Sequence, residues 1–160
     1  MRDERIAVLA LQETHLNTTR EQDIGTLFES SIQLISSPDP DNPTGARGIA
    51  VVINKKLVRY EQIQHVEIVP GRALEVTIPW AQSDNLRLLA LYAPNNTGEQ
   101  RTFWDTLSST YTNDRPKPDI IIGDLNFVED ALDRIPSRPD NDDTTEAAQT
   151  FLHACNAVDG

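Results

Sequence analysis

Apolar residues in this chain come in short runs separated by polar punctuation. Ile6 to Leu11 (Ile-Ala-Val-Leu-Ala-Leu) is apolar without alternation, which predicts a central strand buried on both faces. Thr18-x-x-Glu21 is a capping-box pattern, and Ile24, Leu27 and Phe28 follow at helical spacing, so a helix is expected to about Glu29. Ser31 to Ile35 reads as a strand. Ser36 to Arg47, with three prolines and Gly45, reads as a long surface loop. Gly48 to Ile53 is a second buried strand, and Asn54 to Lys56 is a turn.

Residues 61 to 92 carry three successive strand patterns. Ile63, Val66 and Ile68 mark the first; Leu74, Val76 and Ile78 alternate with polar or small neighbours in the second. Turns at Pro70-Gly71 and Gln82 to Asn85 separate them from Leu86 to Tyr92. Strands without intervening helices predict an antiparallel meander or a mixed sheet. Thr97-x-x-Gln100 then caps a second helix with Phe103, Trp104, Leu107 and Tyr111 on one side, at core spacing. Asp119 to Ile122 is another buried strand. A Pro- and Asp-rich stretch runs from Phe127 to Asp143, and a third helix is expected over about Thr145 to Asn156, with Ala148, Phe151, Leu152 and Cys155 inward.

Composition narrows the class. The 160 residues suffice for one domain with a core, and 38% hydrophobic with 24% charged residues is globular usage. The net charge of -11 does not suit a protein that grips nucleic acid by neutralising phosphates; it does suit a site that collects divalent cations. Seven acids stand against two arginines between Glu129 and Glu146, which reads as a solvated loop. A single cysteine excludes a disulfide framework and a Cys-rich metal site. No apolar run is long enough to span a membrane, and the charged first residues do not form a secretory signal.

Three strand ends carry matching chemistry. Glu13 follows the first strand, Tyr92 and Asn95 close the meander, and Asp124 and Asn126 follow Asp119 to Gly123. Each has a plain alternative: Glu13 as a solvated loop residue, Asp124 and Asn126 as an Asx-turn. If the strands point the same way, the groups converge. Carboxylates for a hard cation, with phenol and amide donors for charge developing on oxygen, are what phosphate-ester hydrolysis needs.

Gln12-Glu13-Thr14-His15, Arg47-Gly48-Ile49-Ala50-Val51, Leu91-Tyr92-Ala93-Pro94-Asn95 and Gly123-Asp124-Leu125-Asn126-Phe127 occur in that order. They resemble the successive motifs of the metal-dependent endonuclease/exonuclease/phosphatase superfamily. The spelling is most similar to the apurinic-type endonuclease domains of non-LTR retrotransposons, which accompany a reverse transcriptase. The resemblance implies an α/β fold, a DNase I-like four-layer sandwich of two mixed β-sheets flanked by helices. It implies Mg²⁺-dependent hydrolysis of DNA, with Mn²⁺ as an alternative ion, and an intracellular, nuclear location. Carried over by motif, Glu13 is a metal ligand, Tyr92 contacts the scissile phosphate, and Asn95 contacts DNA. Asp124 orients or deprotonates the attacking water, and Asn126 binds phosphate.

The family pattern also has an earlier Asn-bearing strand and later Asp-x-Ile and Ser-Asp-His motifs. Here Ser83-Asp84 is followed by Asn85, and the only histidines are His15, His65 and His153. The expectation is therefore a partial domain over 1–160, incomplete at both ends and weak or inactive alone. A phosphatase or lipid phosphodiesterase of the same superfamily, and a non-catalytic remnant or binding module, are the alternatives.

Overall fold

The computed structural model describes residues 5–80, 84–112, 114–126 and 142–157. Seven strands and three helices are found among them, in the order β1 (Val8–Gln12), α1 (Thr18–Leu27), β2 (Ile32–Ser37), β3 (Ile49–Asn54), β4 (Gln64–Val69), β5 (Ala73–Pro79), β6 (Asn85–Tyr92), α2 (Thr97–Thr110), β7 (Ile120–Asp124) and α3 (Asp142–Ala154). Residues 127–141 of the acidic stretch expected as a solvated loop, and part of the expected turn at 82–85, lie outside the described residues; the end of that stretch, 142–146, is corrected to the start of α3, which begins before the expected Thr145. Among those described, no helix is long and apolar enough to cross a membrane.

The chain forms two compact units. The first comprises Met1–Tyr92 and Pro118–Asp124, the second Ala93–Lys117 and Leu125–Gly160. The first unit holds both sheets. One has the order β1-β3-β2 and is antiparallel throughout; the other has the order β4-β5-β6-β7. The expected meander is present: β4, β5 and β6 pair antiparallel in sequence order. β7 then pairs parallel with β6, which makes this sheet the mixed one. A parallel partner cannot be reached by a tight turn and needs a crossover, which α2 supplies.

The two sheets pack face to face. Ile35, Ile49, Val51 and Ile53 from one meet Leu74, Val76, Ile78, Leu88, Ala90 and Tyr92 from the other. These are alternate positions, as the period of two in a strand requires. β3 is buried almost throughout because it has a strand on each side and apolar residues on both faces.

Two strand expectations are corrected. Among the described residues β1 is an edge strand, half-buried, with Leu11 38% exposed. β7 is also an edge strand among the described residues, and Ile120 and Ile122 are 43% and 44% exposed. A continuous apolar run states that a strand has apolar faces. It does not state whether both of its edges are paired.

The helix starts are corrected as well. The cap of α1 is Asn17, whose side chain accepts from the Arg20 backbone N–H at 2.9 Å. The cap of α2 is Asn96, accepting from Gly98 N–H at 2.8 Å. In both cases Asn precedes the Thr that the capping-box pattern singles out, and Asn is the stronger cap. Asn17→Ala should therefore cost about 1 kcal/mol of stability, whereas Thr18→Ala should stay within about 0.5 kcal/mol; urea denaturation of the two variants distinguishes them. α1 ends at Leu27 and has no buried residue, and Leu27 itself is 75% exposed, so its expected apolar face is not covered by the described residues.

The second unit is built on α2 and α3. Phe103, Trp104, Leu107 and Tyr111 are buried as expected, together with Ala148, Phe151 and Cys155. Phe103 meets Trp104 edge-on at 5.0 Å between centroids, and Phe151 lies 5.8 Å from Trp104 and 5.9 Å from Tyr111. These aromatics are core, and Cys155 is a small buried residue whose thiol burial pushes above its ordinary pKa.

Candidate active site

Three of the five residues singled out by sequence lie in the first unit, and the structure brings them together. Tyr92 is the last residue of β6, anchored in the core between the sheets and only 8% exposed. Its hydroxyl donates to Glu13 Oε1 at 2.6 Å. Asp124 is the register partner of Tyr92 across the parallel β6-β7 pair. Register partners in a sheet lie about 4.8 Å apart, with side chains on the same face. β1, which delivers Glu13, lies against both β6 and β7.

Electrostatics follow from this contact. The Tyr92 phenol is pushed up to about 12, first by its hydrogen bond to Glu13, then by burial and by the Glu13 charge. Asp124 pushes the same way and Arg72 opposes it. Tyr92 is therefore a neutral hydrogen-bond donor at any physiological pH.

Backbone conformation at the site departs from the ordinary regions. Glu13, His15 and Arg47 have φ of 51°, 50° and 52°, and Gly48 has 94°. Left-handed conformations cost non-glycine residues energy and persist only where the surroundings hold them. Here Thr14 N–H donates to Gly48 O at 3.2 Å, His15 N–H to Arg47 O at 3.5 Å, and Gly48 N–H to Gly71 O at 3.2 Å. Main-chain bonds thus tie residues 14–15 to 47–48, and Gly48 to Gly71. Glu13 is the residue directly before the segment they hold. The His15 carbonyl accepts from Arg20 Nη1 at 3.3 Å. His65 lies within β4 and His153 in the last turn of α3.

Sequence reasoning missed the support beneath this site. Arg72 is 9% exposed; its guanidinium lies 5.5 Å from the Tyr92 ring centroid and donates to Tyr92 O at 3.2 Å. Tyr92 N–H returns to Arg72 O at 2.8 Å. Asp39 is 4% exposed inside what reads as a surface loop, and its Oδ2 pairs with Arg47 Nε at 3.3 Å. The available signals were a charged residue directly after Pro70-Gly71 and a Pro-Asp-Pro-Asp-Asn run, which builds Asx-turns.

The other two residues belong to the second unit. Asn126, with φ of 50°, donates from its side-chain amide to Ala93 O at 2.6 Å, and its carbonyl accepts from Gln100 Nε2 at 2.8 Å. Gln100, which the capping-box pattern assigned to the start of α2, is used here instead. Asn95 is exposed, just before the Asn96 cap.

The donor set suits a hard cation in kind. Glu13 keeps Oε2 beyond its bond to Tyr92, and Mg²⁺ needs only one or two protein carboxylates, completing its shell with water and substrate oxygens. Among the described residues no group of three or more His, Cys, Asp or Glu is placed to hold a metal, so a closed protein cage is not what these residues form.

No protein-family model matches the chain. No curated protein matches it in sequence. Solved structures do match it in fold. A truncated TDP2 from Caenorhabditis elegans superposes with a TM-score of 0.53 at 14% identity, over 80% of this chain and 52% of that one. A selenomethionine TDP2 from the same organism gives 0.50 at 13% identity, over 80% and 40%. The human Nocturnin catalytic domain with bound sulfate anion gives 0.53 at 14% identity, over 94% and 57%. The chain thus spans about half the length of the structures it matches. The shared feature is the DNase I-like α/β fold with two sheets, as expected from the motifs.

Proposed function

We propose that this chain is a phosphodiesterase domain of the endonuclease/exonuclease/phosphatase superfamily, of the retrotransposon endonuclease type, acting on DNA with Mg²⁺. One observation carries the reading: the Tyr92 hydroxyl bonded to Glu13, with Asp124 as the register neighbour of Tyr92. Three separate strand ends supply the oxygen chemistry that phosphodiester hydrolysis uses. The fold shared with TDP2 and Nocturnin supports it.

In this reading Glu13 would hold the cation, which when bound neutralises charge on the phosphorus centre and leaving oxygen. Asp124, exposed at the end of β7, orients water for in-line attack and accepts its proton. Tyr92 stays protonated, and its single O–H, which bonds Glu13 in the free protein, would turn to a non-bridging oxygen as charge grows there once the cation engages Glu13. Asn95 and Asn126 take their DNA- and phosphate-binding roles from the motif resemblance alone. The leaving oxygen takes its proton from solvent water, since His15, His65 and His153 are not placed in a Ser-Asp-His motif, and that unassisted proton transfer is what makes slow turnover the expectation.

Two measurements test the reading. Calorimetric titration with Mg²⁺, and in parallel with Mn²⁺, should give binding that Glu13→Gln weakens at least about tenfold. No cation binding at all would favour a non-catalytic module. On supercoiled plasmid the 160-residue chain should nick slowly or at background. Fast nicking lost in Asp124→Ala would overturn the expected attenuation while supporting the site. The net charge of -11 favours a second reading, a smaller phosphate ester as substrate. Comparing DNA with inositol phosphates and sphingomyelin decides between them.

A further inference from the structure

A concave region of the first unit lies away from the candidate site. It is a cavity of about 620 Å³ lined by residues that include Arg5, Phe28, Ile32, Asn54, Lys56 and Leu57. Small-molecule sites occupy roughly 300–1,000 Å³. β1 begins at Val8, just after Arg5, and Glu13 follows its other end. β3 runs antiparallel to β1, so Asn54 to Leu57 emerge at the Val8 end. The five residues of β1 therefore separate the cavity from Glu13 by about 16 Å, at roughly 3.3 Å per residue.

The lining has a definite chemistry. Phe28 and Leu57 are each 46% exposed, which leaves apolar surface in water within one concavity. The charged lining residues, Arg5 and Lys56, are both cations, in a chain whose net charge is -11. No carboxylate stands among the described lining residues. Asn54 offers little for reading a ligand's polar edge. Its amide donates to Ile6 O at 3.2 Å, and its oxygen accepts from Lys56 N–H at 3.1 Å. Hydrocarbon and positive charge are offered together, and beside Asn54 the Ser31 hydroxyl is the one other neutral polar side chain among the described lining residues. That combination suits a flexible apolar chain with an anionic head better than a nucleobase or a sugar.

We propose that this cavity binds a single-chain anionic amphiphile as a monomer. Its hydrocarbon lies against Phe28, Ile32 and Leu57, and its phosphate or carboxylate head meets Arg5 and Lys56. The proposal is independent of the phosphodiesterase reading, because it uses none of the same residues.

The test is calorimetric titration of the chain with decyl phosphate, decanol and decyltrimethylammonium below their micelle concentrations. Methyl NMR of Ile32 and Leu57 locates the ligand. Decyl phosphate should shift both residues and bind at least about tenfold more tightly than the neutral and cationic analogues. The double variant Arg5→Glu, Lys56→Glu should remove that preference, and Leu57→Ser should weaken decyl phosphate severalfold. These positions are exposed, and circular dichroism checks that the variants fold. Equal binding of the three ligands, unshifted Ile32 and Leu57 methyls, or undiminished binding in the variants would overturn the proposal. Inorganic phosphate binding as tightly as decyl phosphate would also overturn it, by removing the role of the hydrocarbon. So would binding seen only with phosphatidylglycerol vesicles, which would make the region a membrane-facing surface instead.

Discussion

Gly123→Ala should cost about 3–5 kcal/mol of folding stability and lower Tm by about 10 °C. Gly123 has φ of 146°, a region that side chains other than glycine rarely adopt. A Cβ there would lie 1.9 Å from Leu91 O, 2.8 Å from Leu91 C and 3.0 Å from Leu91 N. All three atoms are backbone of the adjacent strand, so no side chain can turn aside. β7 would have to move away from β6 at the Leu91–Gly123 pair. The next pair in the register is Tyr92 with Asp124, so the same substitution should displace the candidate site. The glycine of the Gly-Asp-Leu-Asn motif is thus required by close backbone approach, before any chemistry is considered. Gly25→Ala is the matched control. Gly25 lies inside α1, its added Cβ meets nothing within 4 Å, and alanine there should stabilise by about 0.5–1 kcal/mol. Urea denaturation of both variants measures the contrast; a Gly123→Ala protein within about 1 kcal/mol of wild type would contradict the geometry.

Asp39→Asn should cost about 2–3 kcal/mol at neutral pH, and the deficit should shrink in acid. Asp39 is buried; its Oδ1 accepts from Asp41 N–H at 2.9 Å and Asn42 N–H at 2.8 Å, and its Oδ2 faces Arg47 Nε at 3.3 Å. The Asn42 backbone bond holds the carboxyl below its usual range against the opposing effect of burial, and the Asp41 bond, Arg47 and Arg72 add to it. Asparagine keeps the shape but loses the charge, and it turns an N–H towards the Arg47 donor or gives up an acceptor. The sign of the pH dependence follows from the depressed pKa. The carboxylate's stabilisation is complete above the unfolded value of 3.8 and is lost as pH falls through the lower folded value. Wild type and Asp39→Asn should therefore differ most at pH 7 and converge as the pH is lowered past that range. Denaturation midpoints across a pH series check this. A gap that stays constant, or widens in acid, would show that the charge is not what Asp39 contributes. Since Arg47 is held by Asp39 and borders His15 through main chain, the variant should also loosen the segment that carries Glu13.

Much of the element order was legible in the chain because it depends on local periodicity. The alternation at Leu74, Val76 and Ile78 faces the opposite sheet as period two requires, and Phe103, Trp104, Leu107 and Tyr111 line the buried side of α2. The Pro70-Gly71 turn falls between β4 and β5. Helix caps were less legible. Thr and Asn both cap well, and adjacent candidates such as Asn17 and Thr18 differ only in which one adopts the extended backbone of a cap. Strand environment was less legible still. Ile6 to Leu11 and Asp119 to Ile122 read as central strands, yet β1 and β7 lie at sheet edges. Pairing is a contact between distant segments, and hydropathy along one segment does not record it.

The candidate site divides along the same line. The sequence by itself determined the chemical inventory: Glu13, Tyr92, Asn95, Asp124 and Asn126, each just beyond or at the end of an apolar run, in motifs whose order identifies a resemblance. Residue type and local spacing are enough for that. Only the tertiary structure decided which of them meet. The parallel β6-β7 register sets Asp124 beside Tyr92, and the contact of β1 with those strands lets the Tyr92 hydroxyl reach Glu13 at 2.6 Å. It also decided that Asp39, in a stretch read as a surface loop, and Arg72, directly after the Pro70-Gly71 turn, are buried supports of that arrangement. Their burial comes from chain segments more than thirty residues apart folding over them, such as Ser37 Oγ accepting from Gly71 N–H at 2.8 Å. Asp39 finds its hydrogen-bond partners two and three residues on and its cation at Arg47, and Arg72 reaches Tyr92 O twenty residues on, but the burial that makes those contacts obligatory is set in three dimensions.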